Sequence, residues 1–293
     1  MAASSDDASP TRRREHLEQA QRRLAAAERQ APRRVAEWLL MEVLDCDQGQ
    51  LYAHSERPVP AEAAARFSAM VQRCVAGEPV QHVLGYTVFR GLRIEVSPAV
   101  MVPRPETEEV AGAALEAIGA VDAPRVLDVG TGSGCIALAV KHERPDAVVA
   151  GWDVSPEALA VARRNADRLA LDVQFEAVDL FSEAGTRVDA RVDLLVSNPP
   201  YIPDEEADTL SATVREYDPP EALFSGDDAL RFYRALADRA PMLCVPGGAL
   251  VLEAHADHAE AAANVLRRGG LTAVRVDTDL SDRPRILTAR VPE

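Results

Sequence analysis

"RVLDVGTGSGCIALAVKHE" runs from Arg125 to Glu143. A short apolar run, "RVLDVG", reads as a buried strand, and "CIALAVKHE" reads as a helix. Between them stand Gly130, Gly132 and Gly134. They leave the backbone bare where strand hands over to helix, so a ligand can approach the unpaired N–H groups of the helix N-terminus. Cys135 makes the spacing GxGxG rather than the GxGxxG of a dinucleotide fold.

Toward the C-terminus the alternation continues. "VVAGWDVS" is a second strand, followed by "PEALAVARRNADRLA", a helix with Ser155 as N-cap and Pro156 in its first position. "VQFEAVD" and "VDLLVSN" are the third and fourth strands, "GALVLEA" the fifth, and "AVRVDTD" and "RILTARV" the last two. This predicts an α/β fold with a doubly wound, mostly parallel sheet of seven strands. The link "LSDRP" is too short for a crossover, so one of the last two strands is expected to run antiparallel.

Toward the N-terminus the character changes. "HVLGYTVFRGLRIEVSPAVMVP" is β-branched, aromatic and interrupted by Gly85 and Gly91, so residues 79–103 are expected to form a β-hairpin linker. Residues 11–78 read as a helical domain of three to five helices, in which Val35, Trp38, Leu39 and Val43 stand near helical spacing. Residues 1–10 are small and polar and are expected to be a disordered tail. The α/β domain then covers 104–293.

Around the glycine loop, strand ends supply candidate ligands. Asp153 closes the second strand, about 20 residues past the loop, where a carboxylate can accept both hydroxyls of a ribose. "VDLF" ends the third strand and puts Asp179 and apolar Leu180 near an adenine. Together with the loop these residues mark a nucleoside site whose ligand need not carry phosphate. After the fourth strand comes "SNPPYIP", Ser197 to Pro203. Pro199 and Pro200 remove two N–H donors and fix φ twice, leaving carbonyls free to accept. Asn198 adds a side-chain carbonyl. Two acceptors side by side match the two hydrogens of one –NH2 group, and Tyr201 offers a flat face for stacking. Such a clamp suits a conjugated, weakly nucleophilic nitrogen that must be held in line with a methyl sulfonium.

Composition narrows the partners. The 293 residues hold 47 acidic against 32 basic ones, net −15, with Lys141 the one lysine. A surface this acidic repels a phosphate backbone, so no stable nucleic-acid binding is expected. No apolar run reaches the ~18 residues of a membrane span, and the opening lacks an apolar h-region, so the expected location is cytoplasmic. Cys46, Cys74, Cys135 and Cys244 form no CxxC pair and read as structural thiols.

The glycine loop, Asp153 and "NPPY" together resemble the class I S-adenosyl-L-methionine-dependent methyltransferases that act on planar nitrogen. "GEPVQHVLGYTVFRGLRIEVSPAVMVPRPETEEV", with "NPPYIP" and "EYDPPEALFSGDDAL" downstream, narrows the resemblance to the peptide chain release factor N5-glutamine methyltransferases, the PrmC/HemK family. It extends over about residues 20–290. It implies methylation of the glutamine in a release factor's Gly-Gly-Gln motif, with S-adenosyl-L-methionine as cofactor and a release factor as protein partner; a monomer is expected. It places Gly130, Thr131, Gly132, Ser133 and Gly134 on the cofactor, Asp153 on the ribose and Leu180 beside the adenine, where many members carry an aromatic residue. Asn198 would touch cofactor and substrate, and Pro199, Pro200 and Tyr201 would complete the clamp. Arg104 and Glu106 of "PRPETE" are candidates just behind it, although Pro105 and the acids also make a good helix start. Where the family often shows Glu-Ile-Gly, this chain has "LEAHADH"; His255 and His258 are expected to be solvated, with no metal. Two alternatives stay open: an adenine-N6 methyltransferase acting on DNA or RNA, and a methyltransferase-like binding protein without catalysis.

Overall fold

The computed structural model describes residues 11–183, 185 and 190–293. The expected tail, residues 1–10, lies outside them. The chain divides after Gly85 into two compact units.

The first unit is helical: α1 (Arg13–Ala26), α2 (Pro32–Leu44), α3 (Gln48–Ala53), α4 (Ala61–Val75) and α5 (Val80–Leu84). Leu24, Leu39, Leu40, Leu51, Phe67 and Val71 form its core. Trp38 does not join them and is 38% exposed. At about 100° per residue it lies about 130° from the centre of the Val35–Ala36–Leu39–Leu40 stripe. Residues 80–84, expected within the hairpin linker, instead make one helical turn. Pro79 opens that turn, and Gly85, with φ 79°, closes it by donating its N–H to the Gln81 carbonyl at 2.8 Å. Here the caps outweigh the β-branched composition.

The second unit opens with the hairpin of β1 (Tyr86–Phe89) and β2 (Leu92–Glu95). It turns on Arg90 and Gly91, both at positive φ, 45° and 79°, as a two-residue hairpin loop prefers. Then follow α6 (Pro105–Ala117), β3 (Arg125–Val129), α7 (Cys135–Glu143), β4 (Val148–Asp153), α8 (Pro156–Leu169), β5 (Val173–Ala177) and β6 (Val192–Ser197). After β7 (Ile202–Pro203) and a 3-10 helix (Asp204–Thr209) come α9 (Ala212–Tyr217), α10 (Pro220–Leu223) and β8 (Phe224–Gly226). The chain ends with α11 (Arg231–Leu243), β9 (Cys244–Glu253), α12 (Ala259–Arg268), β10 (Thr272–Thr278) and β11 (Pro284–Arg290).

Seven strands form one sheet in the order β10-β11-β9-β6-β3-β4-β5. β3, β4, β5, β6 and β9 run parallel, and β11 lies antiparallel to both its neighbours. β3 is buried along Val126–Val129 because helices cover both faces, as a central parallel strand requires. α6, α7 and α8 pack on one face through Val110, Ile136, Leu138 and Leu159. On the other face α11 and α12 bring Leu236, Leu243 and Leu266. Among the described residues no helix is long and apolar enough to cross a membrane.

The register positions the site. Val129 pairs with Trp152 on one side and Ser197 on the other, and Ser197 pairs with Leu252. The next residue on each strand path is Gly130, Asp153, Asn198 or Glu253. Four polar or bare positions therefore emerge side by side at the carboxyl edge, where strand order reverses between β3 and β6.

Candidate active site

The glycine loop is held down by its neighbour strand. Gly130 and Thr131 both donate their N–H to the Trp152 carbonyl, at 2.8 and 2.9 Å. All three loop glycines have positive φ, 73°, 54° and 81°. A Cβ at Gly130 or Gly132 would meet nothing within 4 Å, so the space above them is open, whereas one at Gly134 would press on Leu138, Phe175 and Ala162 at 3.2–3.3 Å. The first two glycines thus present backbone outward, and the third lets α7 pack against β5 and α8.

Beneath the loop lies Asp128, 1% exposed. Its Oδ2 accepts from the Thr131 hydroxyl at 2.7 Å and from the Ala137 N–H in the first turn of α7 at 3.2 Å. Its Oδ1 is buried without a hydrogen-bond partner. Burial pushes this carboxyl up to about 7. Ser133 Oγ is likewise buried and unpartnered. A buried carboxylate oxygen without a partner carries a desolvation cost.

Asp153 is tied to the same loop. Its Oδ2 accepts from Gly132 N–H at 2.8 Å and its Oδ1 from Ser155 N–H at 2.9 Å. Burial raises its pKa. Each carboxylate oxygen keeps acceptor capacity beyond one such bond. Leu180, by contrast, faces inward: it is 7% exposed and belongs to the core with Val129 and Trp152. Its neighbour Phe181 is the exposed one, packed edge-on against Phe232 at 5.1 Å with the Arg231 guanidinium 4.2 Å over its ring. Asp179 is exposed, and its Oδ1 accepts from Phe181 N–H at 2.8 Å.

The residues after β6 are joined to two groups that sequence reasoning did not single out. Asn198 Nδ2 donates to Thr107 Oγ1 at 3.2 Å, and that hydroxyl donates to Glu253 Oε2 at 2.7 Å. Tyr201 donates its hydroxyl to the other oxygen, Glu253 Oε1, at 3.2 Å. Glu253 is 1% exposed, and burial raises its pKa. Burial also raises the Tyr201 phenol above its ordinary range. One buried carboxylate therefore anchors both polar side chains of the expected clamp. Pro199 is buried and Pro200 half-buried.

Arg104 is the N-cap residue of α6 and Pro105 begins the helix, so the helix-start reading of "PRPETE" holds. Arg104 also pairs with buried Asp218 at 2.6 Å, tying the α6 entrance to the "YDPP" segment. Glu106 stands in the first turn of α6, half-buried. The position of Thr107 inside "PRPETE", and of Glu253 at the end of a strand, were the signals available for them.

Two sequence families match this chain. The PrmC N-terminal domain matches residues 15–85, and the methyltransferase small domain matches residues 111–216. The release factor glutamine methyltransferase of Koribacter versatilis is 38% identical over 278 residues, covering 94% of this chain and 97% of that protein. That of Cereibacter sphaeroides is 42% identical over 270 residues, covering 92% and 95%. Among solved structures, a methyltransferase from Pyrococcus furiosus superposes with a TM-score of 0.51 at 18% identity, over 77% of this chain and 100% of that one, a likeness of fold.

Proposed function

The chain belongs to the release factor glutamine methyltransferase family, and from that premise we infer that it methylates a glutamine side chain of a peptide chain release factor. It is an S-adenosyl-L-methionine-dependent protein-(glutamine-N5) methyltransferase. The glutamine is that of the Gly-Gly-Gln motif. The observation that supports this reading best is the register row at the carboxyl edge, which sets the open glycine loop, Asp153, Asn198 and Glu253 side by side.

The residues present fit the cofactor. Open space over Gly130 and Gly132 admits a ligand, and each Asp153 carboxylate oxygen, with one N–H bond from Gly132 or Ser155, keeps capacity to accept from a ribose hydroxyl. Bound there, S-adenosyl-L-methionine supplies an electrophilic methyl group. The protein orients the nucleophile. Glu253 accepts the hydrogen bond from the Thr107 hydroxyl, so the Thr107 oxygen is left to accept from the Asn198 –NH2. That fixes which end of the Asn198 amide points away, and its Oδ1 is presented as an acceptor to the substrate –NH2. Glu253 also holds the Tyr201 ring through its hydroxyl. The substrate nitrogen is thereby held in one plane and direction for attack on the methyl.

Residues 11–78 act as the docking domain for the folded release factor, and the enzyme works as a monomer without stable nucleic-acid binding, in keeping with its net charge of −15. The test is labelled methyl transfer to a purified release factor, beside a variant lacking the Gly-Gly-Gln glutamine and beside duplex DNA. Label in the intact factor alone is expected. Label in DNA adenine with none in the factor would overturn the reading.

A further inference from the structure

Outside the methyl-transfer clamp, two histidines and a glutamate converge from separate segments. Glu206 stands in the 3-10 helix Asp204–Thr209, which follows the Asn198–Tyr201 stretch. His255 follows β9, and His258 is the N-cap residue of α12. A turn sets the two histidines together, because His258 N–H donates to the His255 carbonyl at 3.0 Å. Their rings lie 5.2 Å apart and are tilted by 37°. One ligand atom from each of the three residues lies within 4.8 Å of the other two.

We propose that Glu206, His255 and His258 bind a divalent transition-metal ion of the zinc class, which fastens the segment after the clamp to the turn after β9. Three features carry this. First, His258 Nε2 and Glu206 Oε1 stand 3.3 Å apart, close to the roughly 3.3 Å edge of a tetrahedron with metal–ligand bonds of about 2.0–2.1 Å. Second, His255 Nδ1 is buried without a hydrogen-bond partner, an acceptor or ligand site left open in an otherwise paired region. Third, all three side chains are only partly buried, so they can rotate the remaining distance and the fourth position stays open to water. Two imidazoles and one carboxylate suit Zn²⁺, Co²⁺ or Ni²⁺, whereas Ca²⁺ and Mg²⁺ take oxygen ligands. The bound ion would span positions 206 and 255–258 and brace Tyr201, whose ring centroid lies 5.8 Å from that of His255.

The test uses the full chain, stripped with a chelator and titrated with Co²⁺ as a visible-absorbing probe, with Zn²⁺ as competitor. The expected result is one Co²⁺ per chain with a ligand-field spectrum of nitrogen and oxygen donors, displaced by Zn²⁺. A thermal midpoint that rises with Zn²⁺ concentration should accompany it. Glu206→Gln, on an exposed helix, and the double variant His255→Ala/His258→Ala should each weaken binding by more than the about 10–100-fold that loss of an outer partner costs. S-adenosyl-L-methionine affinity reports that both variants are folded. If the wild type takes up no Co²⁺, or if Glu206→Gln and the double variant bind as it does, the proposal fails. A sulfur-to-metal charge-transfer band would place the ion on a thiol such as half-buried Cys46 and would also overturn it.

Discussion

Each of the two units buries a carboxylate near a helix, and they treat it in opposite ways. In the helical unit, Glu37 accepts on Oε1 from Arg33 at 2.8 Å and from the Tyr52 hydroxyl, and on Oε2 from Gln48 at 3.2 Å. Burial alone would raise its pKa, but the hydrogen bonds from Tyr52 and Arg33 more than offset that and hold it below its ordinary value. In the sheet unit, Asp128 receives both its hydrogen bonds on one oxygen, the other has no partner, and its pKa stands at about 7. A carboxylate saturated by its own chain is a structural part. One left short of partners beside an open loop costs stability until something else approaches.

The largest effect expected from this contrast is on stability against pH. Asp128 keeps its proton in the folded chain up to about 7, while in the unfolded chain it loses it near 4. Between those values the unfolded state releases a proton that the folded state retains, so stability falls as pH rises through about 4 to 7 and is unaffected by this group below that window. The full difference is on the order of 4 kcal/mol. Asp128→Asn should flatten this slope, as read from thermal midpoints of the ligand-free protein across that range. A slope equal to that of the wild type would remove Asp128 as its source.

Asn198→Ala should lower kcat by on the order of 10²–10³, by analogy with loss of one preorganised donor or acceptor at a reacting group. Cofactor affinity should drop much less, and a near-normal kcat would refute the clamp. Asp153→Ala should weaken S-adenosyl-L-methionine binding by roughly 1.5–3 kcal/mol, which calorimetric titration measures; it also frees the Gly132 N–H that it now holds.

Thr107→Val keeps the shape and removes the hydroxyl between Glu253 and Asn198. A loss of about 1–1.5 kcal/mol, roughly tenfold in kcat, is expected, with Thr107→Ser restoring most of it. Equal rates for the Val and Ser variants would show that the hydroxyl does not orient Asn198. The smallest catalytic effect belongs to the saturated carboxylate. Glu37→Gln should cost about 1–2 kcal/mol of stability and leave kcat and cofactor affinity as they were. A change in cofactor affinity would break the contrast between the two units.

Much of this molecule is written locally. The run "RVLDVGTGSGC" specifies strand, turn and helix, because apolar periodicity and glycine act over a few residues. The caps at Ser155 and Pro156 act over a single turn, and the short "LSDRP" link demanded the antiparallel strand that β11 proves to be. Other features were decided only by tertiary packing. Trp38 matches the helical spacing of its neighbours, yet which side of α2 is covered depends on where α1 and α4 lie. Leu180 follows its strand in sequence, but its side chain turns into the core with Trp152. Thr107 and Glu253, 146 residues apart, meet because β9 lies beside β6 and α6 packs over both. Hydrogen bonds at that separation leave no periodicity in a sequence. They come into being when strand register brings distant residues to one level of the sheet, and register is a property of the folded chain.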